Sequence, residues 1–315
     1  MVTHLALPDS LNRMKISLEG LALGDAFAEV FSQNHLSARE ALKEDLLPGG
    51  VWHYTDDTEM ALAIYDVLEE RGEIDQALMA QRMAYRFQKA PHRGYGKGTR
   101  IFCEAFLEGK TWEEASHVYR GSGSKGNGSA KRVAPLGAYF AERSFATIIA
   151  QATKSAEVSH RHPEGIAGAV AVALAAAVAW RQKVHSTAYV SQAIYETLLE
   201  HLPEKSLTRK GIAQAAELPP ETKPEEAARI LGNGLSITCQ DTVPYAIWNA
   251  CRHLNDFRAA MVDTLFGGGD ADTNCAIVGG IVSLYAGQHW PEAWMERREP
   301  VQYRSVDEAE AQLNN

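Results

Sequence analysis

The chain has 315 residues, 45% of them hydrophobic and 23% charged, with 25 glycines and 12 prolines. That composition excludes a disordered chain and supplies enough apolar material for a sizeable core. With 31 Lys and Arg against 40 Asp and Glu, the net charge of −9 argues against a broad nucleic-acid surface and is compatible with a need for cations. Cys103, Cys239, Cys251 and Cys275 form no CxxC pair and read as reduced core thiols, so a cytoplasmic protein is expected. The first residues lack a charged segment followed by an apolar core, and no secretion signal is expected.

The first predicted helix covers Leu11 to Phe31. Leu18, Leu21, Ala22, Asp25, Ala26 and Glu29 share one face of it, so two acids interrupt an apolar stripe. Such acids must be neutralised or point into a polar site. Gly20 and Gly24, one turn apart, permit close approach of another backbone. The second predicted helix runs from Asp56 to Arg71, with Asp56 and Glu59 matching an acidic capping box.

Helical patterns then cover 74–88, 101–107, 133–140, 144–157, 165–183, 190–201, 224–231, 243–255, 256–265 and 272–287, and strand signals are nearly absent. The Ala-rich run from Gly165 to Trp180 falls short of the roughly 20 residues that span a bilayer and reads as a buried core helix. One all-α domain over 1–304 with a polar tail at 305–315 is the economical reading.

Two loops, Arg93-Gly-Tyr-Gly-Lys-Gly98 and Gly121-Ser-Gly-Ser-Lys-Gly-Asn-Gly128, are rich in glycine without being linkers. Their exposed N–H groups can approach a phosphate or sugar unobstructed. Thr55-Asp56-Asp57-Thr58 and Asp270-Ala-Asp272-Thr273 each stand at a predicted helix start. If these starts converge, four aspartates must take up protons or bind a cation; if they do not, the motifs are two independently capped helices. Carboxylate and hydroxyl oxygens without clustered thiolates suit Mg²⁺ or Mn²⁺, and two similar half-sites suggest two ions about 3.5 to 4 Å apart. His160-Arg-His162 could bind a metal, hold a substrate or cap the helix that follows. Cys275 has no basic neighbour in sequence and reads as a core residue, and the six tryptophans read as packing.

Seven motifs occur in one order: Gly20-Leu-Ala-Leu-Gly-Asp25-Ala, Tyr54-Thr-Asp-Asp-Thr-Glu-Met60, Arg93-Gly-Tyr-Gly96, Gly126-Asn-Gly-Ser-Ala-Lys-Arg-Val-Ala-Pro-Leu-Gly137, Ser159-His160, Asp241-Thr-Val-Pro244 and Gly268-Gly-Asp-Ala-Asp-Thr273. The chain thereby resembles the ADP-ribosylglycohydrolases nearly end to end. The resemblance implies an all-α orthogonal multi-helix bundle with a dinuclear Mg²⁺ or Mn²⁺ cleft. Thr55, Asp56, Asp57, Asp270, Asp272 and Thr273 would supply the metal ligands. Gly94, Gly96, Gly98, Ser124, Asn127, Gly128 and His160 would contact ADP-ribose, while Lys125, which departs from the family pattern, could change ribose stacking or meet a phosphate. Asp57, or Glu29 if it reaches the cleft, would move the proton. The implied reaction is hydrolysis of the bond joining ADP-ribose to a modified protein side chain.

Three positions depart from the family pattern. Ser32 stands where many relatives carry a glutamate, Lys125 where an aromatic or small residue precedes Gly-Asn-Gly, and Lys131 where a methionine precedes the arginine. Other readings are a non-catalytic ADP-ribose binder, a toxin-blocking immunity factor, or an all-α isoprenoid-diphosphate enzyme suggested by the Asp56-Asp57-Thr58-Glu59 run. The glycine loops do not fit the last of these.

Overall fold

The structure, a computed structural model, describes residues 9–33, 38–44, 46–119, 121 and 123–303. The predicted tail at 305–315 lies outside the described residues. The chain begins α1 (Asp9–Gln33), α2 (Ala38–Lys43), α3 (Asp56–Arg71), α4 (Gln76–Lys89), α5 (Lys97–Leu107) and α6 (Trp112–Val118). A 3₁₀ turn at Asn127–Ser129 precedes α7 (Ala134–Tyr139), α8 (Phe145–Glu157), α9 (Pro163–Arg181), α10 (Thr187–His201) and α11 (Leu207–Glu217). The remainder is α12 (Pro224–Leu231), α13 (Cys239–Arg252), α14 (Phe257–Phe266), α15 (Ala271–Ala286) and α16 (Glu292–Met295). Among the described residues no strand forms, and β pairing is confined to isolated bridges, Trp52 with Arg298 and Gly126 with Thr238. The fold is all-α, as expected.

The helix limits of α3 and α12 match those predicted, while α2, α6, α11 and α16 fall outside the predicted segments. The cap of α3 differs from the expected box. Thr55 is the N-cap, its hydroxyl accepting from the Asp57 N–H, and Glu59 turns away to pair with Arg86. α13 starts at Cys239, four residues before the predicted start, and Pro244 lies inside it.

Two helix pairs organise the core. α1 crosses α15 at glycines: a Cβ on Gly24 would lie 2.2 Å from the Cys275 carbonyl oxygen, and one on Gly279 would lie 2.3 Å from that of Gly20. Only glycine admits such an approach. It sets Asp25 beside the first turn of α15. The predicted core helix, α9, is buried at every residue from Ala167 to Ala179 and packs against α7, α8, α10, α13 and α15. It is long and apolar enough to cross a membrane, but its apolar length is spent inside the fold. Phe27, Phe31, Trp52 and Trp294 form an aromatic cluster, with Phe27 stacked on Trp294 at 4.3 Å, and all four cysteines are buried and free.

Candidate active site

The site begins with the N-terminus of α3. An isolated helix start leaves its first N–H groups unpaired; here they are met by the Thr55 cap and by two distant parts of the chain, Asp25 and Arg93. The Asp25 carboxylate of α1 accepts from the Thr55 N–H at 3.1 and 3.0 Å and from the Thr58 N–H at 3.1 Å. The Asp56 N–H donates to the Arg93 carbonyl at 2.7 Å, which ties the helix start to the first glycine loop. The Arg93 guanidinium in turn donates to the Tyr54 carbonyl at 2.8 Å and lies over the Tyr54 ring.

The second glycine loop is drawn onto α15. Asn127 Nδ2 donates to Asp270 Oδ2 at 2.7 Å and to Thr242 Oγ1 at 3.0 Å, and the Asp270 N–H donates to the Asn233 carbonyl at 3.0 Å. The two acidic helix starts therefore meet. Burial, then the charges of Asp57 and Asp272, push the Asp25 pKa well above the usual carboxylate value. Burial also pushes Asp57 up to about 7, with Asp272 and Asp56 raising it further against the pull of Lys131. Asp272 rises to about 7 through burial, then the neighbouring Asp270. Repulsion of this kind stores an affinity for positive charge.

A cavity of about 340 Å³ opens between the helix starts and the glycine loops. Asp56, Asp270, Asp272 and Thr273 line it, together with Gly94, Gly96, Gly98, Ser124, Lys125, Asn127, Gly128 and His160. Twelve of the fifteen residues singled out from sequence thus face one cavity. A Cβ on Gly94 or Gly96 would meet nothing within 4 Å, so neither glycine is imposed by packing and both leave backbone open to a ligand. Gly128 instead makes room for His160, whose ring would lie 2.8 Å from a Cβ there.

Three residues do not line this cavity. Asp57 is fully buried behind it, and Thr55 and Glu29 line an adjoining hollow with Val30, His53, His92 and Arg93. Glu29 shares the face of Asp25 but lies one turn farther along α1, beyond the crossing with α15. The chain's own geometry therefore gives no support to Glu29 as the proton carrier in the cleft.

His160 and His162 separate the roles their motif left open. His162 caps α9, its Nδ1 accepting from the Glu164 N–H at 3.1 Å. His160 lines the cavity, held by a relay: Arg132 donates to Ser159 Oγ at 3.0 Å, and Ser159 Oγ lies 2.8 Å from His160 Nδ1. With its oxygen accepting from arginine, the serine hydroxyl donates to Nδ1, which assigns the ring proton to Nε2. Burial, then Arg132 and Lys131, lowers the His160 pKa to about 3, so the ring is a neutral donor.

Sequence reasoning overlooked Ser236, Ile237 and Thr238, which close one side of the cavity. Asp241, noted only as part of a motif, shapes that segment: its carboxylate accepts from the Ser236 N–H at 2.7 Å and its carbonyl from the Gly234 N–H at 2.8 Å. Ile237 has φ 52°, a strained value for a β-branched residue, and is exposed at the rim. Lys131, noted only as a departure, proves to be central. Its ammonium lies 2.9 Å from Asp56 Oδ2 and is also paired with Asp57 Oδ1. Burial alone would lower the Lys131 pKa, but Asp56, Asp57 and Asp270 outweigh it and hold the pKa well above the usual value.

The donor chemistry fits a hard divalent cation. All the cavity acids offer oxygen, and Asp57 Oδ2 is buried with no hydrogen-bond donor. Among the described residues, however, no three His, Cys, Asp or Glu side chains already converge as a metal cluster.

Comparison with known proteins bears on this arrangement. The sequence profile of the ADP-ribosylglycohydrolase family matches residues 6–314. ADP-ribosylhydrolase ARH3 from Mus musculus is 31% identical, over 91% of this chain and 87% of its own, and the Homo sapiens protein of that name is 29% identical over 91% and 89%. A solved chain described as an ADP-ribosylglycohydrolase-related protein complex superposes with a TM-score of 0.63 at 23% identity, covering 93% of this chain and 94% of its own. These matches set aside the isoprenoid-diphosphate reading and that of a binder without chemistry. The chain belongs to the ADP-ribosylglycohydrolase family and is a glycohydrolase.

Proposed function

We propose that the protein hydrolyses the bond between the anomeric carbon of ADP-ribose and a modified protein side chain, with divalent cation, Mg²⁺ or Mn²⁺, as cofactor. The observation that carries this reading is the single cavity with two unlike walls: open glycine backbone on one side and carboxylates from α3 and α15 on the other.

The backbone N–H groups at Gly94, Gly96 and the Ser124–Gly128 loop would receive the diphosphate, with Lys125 adding a positive charge at the loop. The neutral His160 would offer Nε2–H to a sugar or phosphate oxygen without adding charge. Asp270, Asp272, Thr273 and Asp57 Oδ2 are the oxygens that would hold cation, which when bound orients the ribose hydroxyls and lowers the pKa of water. The carboxylates stabilise the positive charge that develops at the anomeric carbon as its bond lengthens. A carboxylate beside the bound cation would accept the proton of the attacking water; Asp272 lines the cavity, and Asp57 is buried next to it.

The test is release of free ADP-ribose from proteins modified on arginine, on serine or through an ester, with Mg²⁺, with Mn²⁺ and with chelator. Metal-dependent release from one of these substrates is expected, abolished by Asp272→Asn. Full release in chelator, or by the Asp272→Asn variant, would overturn the reading.

A further inference from the structure

The two acidic motifs have the symmetry of a two-cation centre, one half on α3 and one on α15, yet the structure treats the halves differently. The α3 half already contains a cation. Lys131 Nζ sits 2.9 Å from Asp56 Oδ2 and pairs with Asp57 Oδ1. The α15 half, Asp270, Asp272 and Thr273, has no lysine or arginine in ion-pair contact among the described residues.

Lys131 is not a surface arm that happens to fall inward. Its N–H donates to the Asn127 carbonyl at 3.0 Å, and Asn127 is itself pinned to Asp270 and Thr242. The next residue, Arg132, is buried and bonded to the Ser155 carbonyl at 2.8 Å. The lysine backbone is thus clamped on both sides, and the side chain is 11% exposed. A buried ammonium is retained only where its charge is met, and here two carboxylates meet it. Those contacts occupy one oxygen of Asp56 and one of Asp57 and leave Asp57 Oδ2 without a donor, on a carboxylate close enough to Asp272 for their charges to repel.

We infer that the Lys131 ammonium is a built-in cation occupying one of the two positions, so that this chain takes a single divalent ion, held by Asp270, Asp272, Thr273 and Asp57 Oδ2. The inference rests on the metal-dependent reading above. Lys131 also supplies one positive charge where a second divalent ion would bring two. It cannot be removed by chelator, so that half of the site stays neutralised at any metal concentration.

Counting ions in the full-length protein tests this. After chelator treatment and dialysis, Mn²⁺ is titrated and followed by electron paramagnetic resonance. The wild-type chain is expected to bind one Mn²⁺ with an uncoupled six-line spectrum. Lys131→Met, which keeps chain length and removes charge, is expected to bind two, with the spectrum broadened by exchange coupling. Two coupled ions in the wild-type chain would overturn the inference while leaving metal-dependent hydrolysis standing; no bound Mn²⁺ would overturn both. If Lys131→Met does not fold, the wild-type count still decides.

Discussion

Asp25 and Thr58 are joined twice: Asp25 Oδ2 accepts from Thr58 Oγ1 at 2.6 Å and from the Thr58 N–H at 3.1 Å. One carboxylate of α1 thereby serves as an outside cap for α3 and holds the acidic start of that helix against α15. The acid that interrupts the apolar stripe of α1 is neither solvent-exposed nor wasted. Thr58→Val keeps the shape and removes one of the donors to a fully buried carboxylate. A loss of about 1–3 kcal/mol in urea unfolding is expected, and a variant as stable as wild type would show that the bond carries no weight.

The glycine crossing of α1 and α15 makes a prediction opposite to helix propensity. Alanine at Gly24 should favour the isolated helix by about 1 kcal/mol. In the fold its Cβ would meet the Cys275 carbonyl oxygen at 2.2 Å, backbone that cannot rotate away. Overpacking of this kind costs about 1–3 kcal/mol, so Gly24→Ala is expected to lower the unfolding midpoint. An unchanged midpoint would mean that the helices do not approach so closely.

Asn127 Nδ2 donates to the candidate ligand Asp270 at 2.7 Å and so orients its carboxylate. Removing such a support weakens cation affinity by about 10–100-fold. Asn127→Ala should show this in a Mn²⁺ titration, with the family's hydrolysis recovered at high metal. Unchanged affinity would limit Asn127 to shaping the loop.

His160 predicts an acid sensitivity. Its pKa is about 3 in the fold and about 6.5 unfolded. Above pH 6.5 both states are neutral and nothing is lost. As pH falls below 6.5, only the unfolded chain gains this proton, and stability drops by about 1.4 kcal/mol per pH unit, about 2 kcal/mol by pH 5. Urea unfolding of wild type and His160→Asn at pH 7.5 and pH 5 should differ by that amount in their pH response. Equal slopes would show that the imidazole is protonated or exposed.

The sequence by itself determined the helical class, the limits of α3 and α12, the two glycine loops and the acidic helix starts. These are local signals: an apolar period, a capping residue, a run of small residues, each complete within about a dozen positions. It also marked Asp25 and Glu29 as acids on an apolar face, but periodicity assigns both to that face and cannot say which turn meets the partner helix. The Gly24 approach to Cys275 decides that, taking Asp25 into the junction and leaving Glu29 in the adjoining hollow. Ser236, Ile237 and Thr238 carry no pattern at all; they reach the cavity because Asp241 folds their segment back. Lys131 shows the same limit most plainly. In sequence it is marked only as a departure from the family pattern, and only the packing of α3 against the segment before α7 places Asp56 and Asp57 around its ammonium, because the meaning of a charge depends on which other charges the fold brings within a few ångströms of it.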